Sequence, residues 1–569
     1  MSKSRFAFAA LAASAVLVAA CGNKQQPAAD NTLPLAFAPA DTPYAFANLE
    51  PSPAPVLEAQ SRRMQMMWPS VFGMYDDMLA NAEALPERPK KIARALIDEL
   101  RTRDTLDKLR EIGVKPDARY AVYGVGLVPV ARIELGDPAA FKATIARIEA
   151  KIGEQVPTGK TGAQDYWQLG NAQVTFAFAL EGTHLVATFW PADASDAVKQ
   201  ALLGVTRPAR TLADAGTLQA LAKQYGYLPY GEGYIDAVAL VQRLSTAPSG
   251  SDLEIAKALQ LPTEGAITDP VCKAEILGIA QNFPRLVVGT ESLTPDKVTA
   301  GMQLEMAAPL AKAIADTITP APGSAATSDA LLDVAMSLPL LKIKDFWIKQ
   351  AEANAAKPYA CPALAGFNRM FHDSRAKLDT TIPPPLSEFT GARFVLTKFA
   401  PPAAVNGKPD FAGKVLYATS NPLGAVGMAQ LALPGLKDVK ITPDGNPIAL
   451  PANIAPAGVP PLTLAVDAKA IALAAGKGEE TGLHDFLTAP AATTPVWLRM
   501  RFSGTIYGQM SRVVEMLRGQ LPAAKRDRFE QQQKLYAIYE KMLRSIDFRF
   551  EANAQGVAIH EVVEMNAAP

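Results

Sequence analysis

The sequence contains little of what metal and catalytic sites are commonly built from. It has three cysteines and four histidines among 569 residues. A structural zinc site takes four Cys or His ligands, usually at short spacing, and no such grouping occurs. A Gly-x-Ser-x-Gly nucleophile elbow and a His-Glu-x-x-His helix are also absent. The sequence therefore predicts no metal, no cofactor and no catalytic residue, and it favours a protein that is not an enzyme.

Two alternatives to a binding protein stay open at this stage. A hydrolase with a dispersed site is one, because catalytic groups are brought together by geometry and not by their order in the chain. A structural or assembly scaffold is the other.

Charge and length further limit the classes of protein to which the chain can belong. Lys plus Arg and Asp plus Glu both number 56, so the net charge is zero and the chain has no electrostatic footprint for nucleic acid. A chain of this length is expected to fold as more than one domain. Beyond the first residues, no apolar run reaches the length of a membrane span.

The first 21 residues have the pattern of an export signal. Lys3 and Arg5 precede an uncharged apolar run, and small residues follow at Ala19-Ala20. The segment Val18-Ala19-Ala20-Cys21 resembles the lipobox of bacterial lipoproteins. That resemblance implies cleavage after residue 20, lipidation of Cys21 and an anchor in a membrane. Gly22, where Asp would favour the inner membrane, implies an outer-membrane protein that faces the periplasm.

The body resembles uncharacterised proteobacterial envelope lipoproteins that carry a domain of unknown function. The resemblance rests on Asp269-Pro270-Val271-Cys272, on Pro284-Arg285-Leu286-Val287-Val288-Gly289 and on Lys357-Pro358-Tyr359-Ala360-Cys361-Pro362. It implies no reaction and no ligand.

The two remaining cysteines, Cys272 and Cys361, are expected to form a disulfide. Two thiols in an oxidising compartment most simply pair with each other. Metal binding is the alternative, but it would require further Cys or His ligands nearby. A bond between these cysteines would join the two halves of the chain.

Those two halves look alike. Five segments of the first half have a counterpart, in the same order, in the second half; an example is Ala118-Arg119-Tyr120-Ala121 with Ala392-Arg393-Phe394-Val395. An earlier pair, residues 44–49 with residues 332–338, extends the series. The alternation of apolar and polar residues predicts antiparallel hairpins with packed helices, an α+β fold in two similar halves. The predicted organisation is a signal peptide (1–20), a polar tether (21–41), a first repeat (42–318), a linker (319–328) and a second repeat (329–569).

One segment suggests a ligand surface. Met64, Met67, Trp68, Met74 and Met78 recur at helical spacing. Methionine and aromatic side chains form adaptable apolar grooves, although the same pattern is also typical of an ordinary helix core. We therefore expect a lipid-anchored periplasmic protein whose partners are the membrane and an apolar ligand, such as a lipid, or an envelope protein.

Overall fold

The computed structural model describes residues 32–80, 87–171, 173–325, 327–402, 407–455, 459–518 and 522–567. The predicted signal peptide and Cys21 lie outside these residues. The described chain is α+β, as expected, and its registered strand pairs are antiparallel. It divides into two compact units: one holds the chain up to Ala280 with Pro284–Gly301, and the other holds Gln281–Phe283 with Met302–Asn566.

The first unit alternates strands and helices. Its strands are β1 (Tyr44–Asn48), β2 (Tyr120–Val125), β3 (Val128–Glu134), β4 (Thr158–Thr161), β5 (Gln164–Gly170), β6 (Val174–Glu181), β7 (His184–Pro191), β8 (Leu228–Asp236) and β9 (Arg285–Leu293). Its helices are α1 (Ala54–Ala80), α2 (Glu87–Arg101), α3 (Leu106–Arg110), α4 (Pro138–Ile152), α5 (Asp196–Leu203), α6 (Leu212–Ala215), α7 (Thr217–Tyr225), α8 (Ala237–Leu244), α9 (Gly250–Ala258) and α10 (Pro270–Asn282). The strands pair in the order β4-β5-β6-β7-β3-β2-β1-β8-β9.

The boundary between the two units lies within strand β10 (Lys297–Glu305): Gly301 belongs to the first unit and Met302 to the second. Its further strands are β11 (Leu332–Ser337), β12 (Phe389–Ala400), β13 (Asp410–Thr419), β14 (Ile448–Ala449), β15 (Leu462–Val466), β16 (Ala470–Ala475), β17 (Val496–Ser503), β18 (Leu543–Asn553) and β19 (Gly556–Met565). Its helices are α11 (Ala308–Asp316), α12 (Leu340–Ala356), α13 (Ala365–Leu378), α14 (Pro422–Ala432), α15 (Leu483–Leu487), α16 (Thr505–Arg518) and α17 (Ala523–Met542). The strands pair in the order β14-β15-β16-β13-β12-β11-β17-β18-β19.

The two strand orders correspond. From β6 to β9 the first unit runs β6-β7-β3-β2-β1-β8-β9, and from β15 to β18 the second runs β15-β16-β13-β12-β11-β17-β18. In both units more than one helix follows the first strand, three after β1 and two after β11, and a single helix follows the third (β3 or β13). The example matched in the sequence, residues 118–121 and 392–395, falls at corresponding strands, β2 and β12.

The pairs Asp137-Pro138 and Asn421-Pro422 each predict a helix start from the sequence, and the structure confirms both. Asp137 caps α4 by accepting hydrogen bonds from the backbone of Ala139 and Ala140, at 2.8 and 3.1 Å. Asn421 caps α14 through Gly424 N at 2.9 Å. Each cap is followed by proline, whose fixed φ and missing N–H suit the first helical position.

The predicted disulfide is confirmed, since Cys272 and Cys361 are bonded to each other. Cys272 lies in the first turn of α10, where its N–H donates to Asp269 Oδ1 at 2.8 Å. Cys361 is buried and directly precedes a 3₁₀ turn, Pro362–Leu364.

The C-terminal part of the predicted tether (21–41) is folded and belongs to the first unit. Pro34–Phe37 forms a buried 3₁₀ helix in the core of the first unit. The Phe37 ring centroid lies 3.5 Å from Cζ of Arg132 and 3.9 Å from Cζ of Arg207. These contacts anchor the chain well before residue 41. Among the described helices, none has the length and apolarity of a membrane span.

Candidate apolar binding site

The sheet of the second unit carries apolar side chains on one face along six neighbouring strands. Alternate residues of a strand point to the same face, so the cross-strand register shows which side chains form a row. The central row crosses the strands at Leu473, Val415, Phe394, Val334, Met500 and Phe548. Two further apolar rows flank it on the same face, one on either side.

We call this surface the open face. It comprises Leu332, Val334, Met336, Ala392, Phe394, Leu396, Val415, Tyr417, Ile471, Leu473, Ala475, Leu498, Met500, Phe502, Ile546, Phe548 and Phe550. None of these side chains is charged. The one polar group is the Tyr417 hydroxyl, which donates to the carbonyl of Pro385 at 2.9 Å.

The open face remains partly accessible to solvent. Val415 is 45% exposed, Phe394 is 38% exposed and Leu473 is 37% exposed, and the other members are half-buried. These three residues are consecutive in the central row, so they form one contiguous apolar surface. Such surfaces on soluble proteins usually mark binding sites.

The opposite face of the same strands, the covered face, is buried along β11, β12, β13 and β16 and partly exposed along β17 and β18. Leu416, Ala418, Val395, Ala472 and Ala474 lie in a core with α15. Burial of these small and branched side chains explains the stability of this side of the sheet.

The covered face also contains charges. Arg393 on β12 forms two hydrogen bonds with Asp333 on β11, at 3.0 and 2.7 Å, and both residues are buried. Its guanidinium also lies 4.9 Å from the ring centroid of Phe486 in α15. Arg499 bonds Asp547 at 3.1 Å on the same face. These paired charges are partly or fully shielded from water.

The distribution of polar and apolar side chains over the two faces of this sheet is the opposite of the usual one. An antiparallel sheet with one solvated face normally directs its polar side chains to water and packs its apolar face on the core. Here the ion pairs lie on the buried side, and the uncharged apolar side is half-open. The open face therefore has the composition of a surface that is covered by something apolar.

Helix α14 borders the open face at one edge. Val426 of this helix packs with Leu464 and Val466 of β15, which continue the rows of the open face beyond β16. At the other edge, Glu561 on β19 lies opposite Phe548. Burial raises the pKa of the half-buried Glu561 carboxyl above its usual value.

The first unit has a corresponding row with smaller side chains. It runs through Ala187, Ala131, Val122, Phe46 and Gly233. None of these residues reaches the exposure of Phe394 or Val415. In this central row the second unit therefore has the more exposed apolar side chains.

The residues that the sequence singled out for an apolar groove all lie on α1. Trp68 packs in a small core with Phe72 of the same helix, and its ring N–H donates to the carbonyl of Arg101 on α2 at 3.1 Å. Met64 and Met67 are half-buried, whereas Met74 and Met78 are exposed. The structure thus places Trp68 in the contact between two helices, and the ligand-binding role of the five residues stays a prediction.

The histidines make structural contacts. His184 lies next to the buried guanidinium of Arg132, and burial together with that positive charge lowers its pKa to about 4. The other three contact a neighbouring carboxylate or a main-chain carbonyl: His372, His484 and His560. Within the described part of the chain, no group of three or more His, Cys, Asp or Glu residues is arranged to hold a metal ion.

One buried carboxyl group in the first unit is unusual. Glu232 on β8 pairs with Ala47 of β1 and is 2% exposed. Neither carboxylate oxygen has a hydrogen-bond partner among the described residues. Burial, and second the nearby charge of Glu50, raise the pKa of Glu232 to about 8. Glu232 therefore carries a proton at neutral pH.

Comparison with known proteins identifies no relative. No protein-family model matches the chain, and neither a curated protein nor a solved structure matches it.

The open face was not predicted from the sequence, although its strands were. Alternation of apolar and polar residues predicts a strand, but it does not show which face of the sheet another part of the chain covers.

Proposed function

We propose that this protein binds the acyl portion of a lipid on the open face of its second unit, and that it does so while tethered to the envelope. The proposal includes lipidation at Cys21 and a location at the outer membrane, facing the periplasm. It involves no chemical conversion of the bound lipid.

The observation that carries the proposal is that the sheet of the second unit has its apolar face partly exposed and its ion pairs on the other face. The exposed row Leu473-Val415-Phe394 is apolar, whereas the ion pair Arg393–Asp333 on the other face is buried. Burying each of these exposed apolar side chains against a ligand would contribute up to about 1.5–3 kcal/mol, in proportion to the area that it covers. A lipid chain needs no specific polar partners, which matches a surface that offers none.

The dimensions support an acyl chain as the ligand. Six antiparallel strands span five interstrand spacings, or about 24 Å. A bilayer core of about 30 Å holds two layers of acyl chains, so one chain is about 15 Å long. The central row is therefore long enough to accommodate a whole chain that lies across the strands.

The corresponding strand orders support internal duplication. Both units place their strands in one order and insert helices at the same points. We infer that the chain arose from two copies of one α+β unit. The second copy has the larger side chains on its open face, which suits it for the ligand.

Binding can be measured with a fluorescent fatty acid, used below its micelle-forming concentration and added to the purified protein. Val415→Asp would place a charge in the central row and weaken binding by at least about tenfold, since the charge must lose its hydration when the ligand covers it. Phe394→Asp has the same expected effect.

The matched control is Val205→Asp in the first unit. Val205 is 42% exposed, close to the 45% of Val415, but it lies outside the open face. It should bind the probe like the unchanged protein. Equal loss of binding in both variants, or no saturable binding by the unchanged protein, would refute the proposal.

A further inference from the structure

Helix α14 presents an apolar outer side that nothing among the described residues covers. Its sequence, Pro422–Ala432, contains no charged residue. Leu431 is 89% exposed, Leu423 is 51% exposed and Met428 is 44% exposed. A leucine with this much exposure at the end of an ordered helix buries almost nothing within its own chain.

These side chains form one continuous strip. At 100° per residue, Leu423, Gly427, Leu431, Gly424 and Met428 fall within about half of the helix circumference. The opposite side holds Ala425 and Val426, which are buried. Apart from Gln430, whose amide donates to the carbonyls of Leu436 and Val439, the helix is apolar on both sides, a composition that fits contact with apolar surroundings on both sides.

The strip fits a lipid surface better than a protein partner. Protein interfaces are anchored by aromatic and arginine side chains that fill specific pockets, and this strip contains only Leu, Met and Gly. The helix that carries the strip also borders the open face, because Val426 on its opposite, buried side packs on Leu464 at the edge of the same rows. A bilayer that contacts the strip would therefore lie next to this edge of the open face.

The predicted anchor would hold the protein close to a bilayer. The chain between Cys21 and the first buried turn at Pro34 can span up to about 43 Å when fully extended. A protein held within that distance of a membrane meets lipid far more often than a freely diffusing one.

We propose that α14 inserts its outer strip, Leu423, Met428 and Leu431, into a lipid bilayer surface and forms the route by which lipid reaches the open face. This inference rests on the proposed function, of which it names the membrane-contacting part.

The test uses a chain that begins at residue 22, so that neither a signal peptide nor an acyl anchor contributes to membrane binding. Every described contact lies beyond residue 31, so this chain retains them all. It is mixed with vesicles of phosphatidylethanolamine and phosphatidylglycerol and floated on a density gradient. The variant Leu423→Glu/Leu431→Glu should bind the vesicles at least about tenfold more weakly, because two apolar side chains no longer enter the bilayer.

The control is Leu259→Glu/Leu261→Glu. These leucines of the first unit are 49% and 52% exposed but lie outside the strip. The control variant should bind vesicles normally. In addition, Met428→Trp should show a blue shift of tryptophan emission with vesicles. Equal vesicle binding by both Glu variants, or no shift for Met428→Trp, would overturn the inference.

The same proteins separate this inference from the proposed function. Monomeric fatty acid reports on the open face and needs no bilayer. The α14 variant should bind monomeric probe normally, while Val415→Asp should bind vesicles normally and lose the probe. If the unchanged chain takes up the probe but does not float with vesicles, the membrane role of α14 is refuted and the open face is not.

Discussion

Val415 and Leu416 are neighbours on β13, yet their side chains point to opposite faces of the sheet. Val415 is 45% exposed on the open face, and Leu416 is completely buried on the covered face. The two faces of one strand therefore differ: one is packed in the core, and the other presents the apolar surface that we propose binds a ligand.

That difference predicts unequal stability effects for adjacent truncations. Leu416→Ala should lower the free energy of unfolding by about 2–5 kcal/mol, because it leaves a cavity in the core. Val415→Ala should lower it by less than about 1 kcal/mol, since its side chain is half in water already. Urea denaturation of both variants measures the difference. Similar losses would mean that the open face is also packed core.

The buried ion pair Arg393–Asp333 should be costly to break. Asp333→Asn leaves Arg393 charged and without its partner, so the free energy of unfolding should fall by about 3–5 kcal/mol. Replacing both residues with apolar ones, as in Asp333→Leu/Arg393→Met, should recover most of that loss. Lys312→Ala is the control: it breaks an exposed pair with Asp316 and should change stability by less than about 1 kcal/mol. A small effect of Asp333→Asn in urea denaturation would show that the pair is not buried as described.

Glu232 should make the first unit less stable at alkaline pH. Its pKa is raised to about 8 in the folded protein, from an ordinary value of 4.5. Between these two values the folded state keeps a proton that the unfolded state has lost. Stability should therefore fall as pH rises through this window, by at most about 1.4 kcal/mol per pH unit, and level off above pH 8.

Glu232→Gln removes that dependence. The variant should gain stability relative to the unchanged protein as pH rises from 5 to 8, in thermal denaturation at each pH. Glu50→Gln is the companion variant: without the neighbouring charge, the pKa of Glu232 should fall and the loss of stability should end at a lower pH. Parallel pH profiles for the unchanged protein and Glu232→Gln would contradict the assignment.

The disulfide should contribute substantially to stability. It closes a loop of about 90 residues, for which the chain-entropy model gives about 4–5 kcal/mol. Cys272→Ser/Cys361→Ser should unfold at a correspondingly lower urea concentration. A reducing agent should shift the unchanged protein to the same midpoint and leave the variant unaffected. Identical midpoints with and without the bond would show that the loop is already restrained by other contacts.

Much of the local structure could be predicted from the sequence. The alternation of Phe548 and Phe550 with Asp547, Arg549 and Glu551 predicts a strand, and Asp137-Pro138 predicts a helix start. Both patterns act over a few residues, where backbone geometry and capping decide the outcome. The disulfide was predictable because only two cysteines remained for the body of the chain.

The candidate site could not be predicted in the same way. The alternation at Asp547 and Phe548 shows that the two faces differ, but it does not show which face is buried. That is decided by α15, whose Phe486 packs against Arg393 from nearly a hundred residues further along the chain. The extreme exposure of Leu431 likewise depends on what the fold leaves uncovered.

The most direct test of the account is to map where a lipid chain binds. A fatty acid with a photoreactive diazirine near its end is bound to the purified protein and irradiated, and the labelled peptides are sequenced by mass spectrometry. The account predicts labels on β12, β13 and β16, at or next to Phe394, Val415 and Leu473, and loss of those labels in excess unlabelled fatty acid. Labels confined to α1, around Met74 and Met78, or labels that excess fatty acid does not displace, would contradict it.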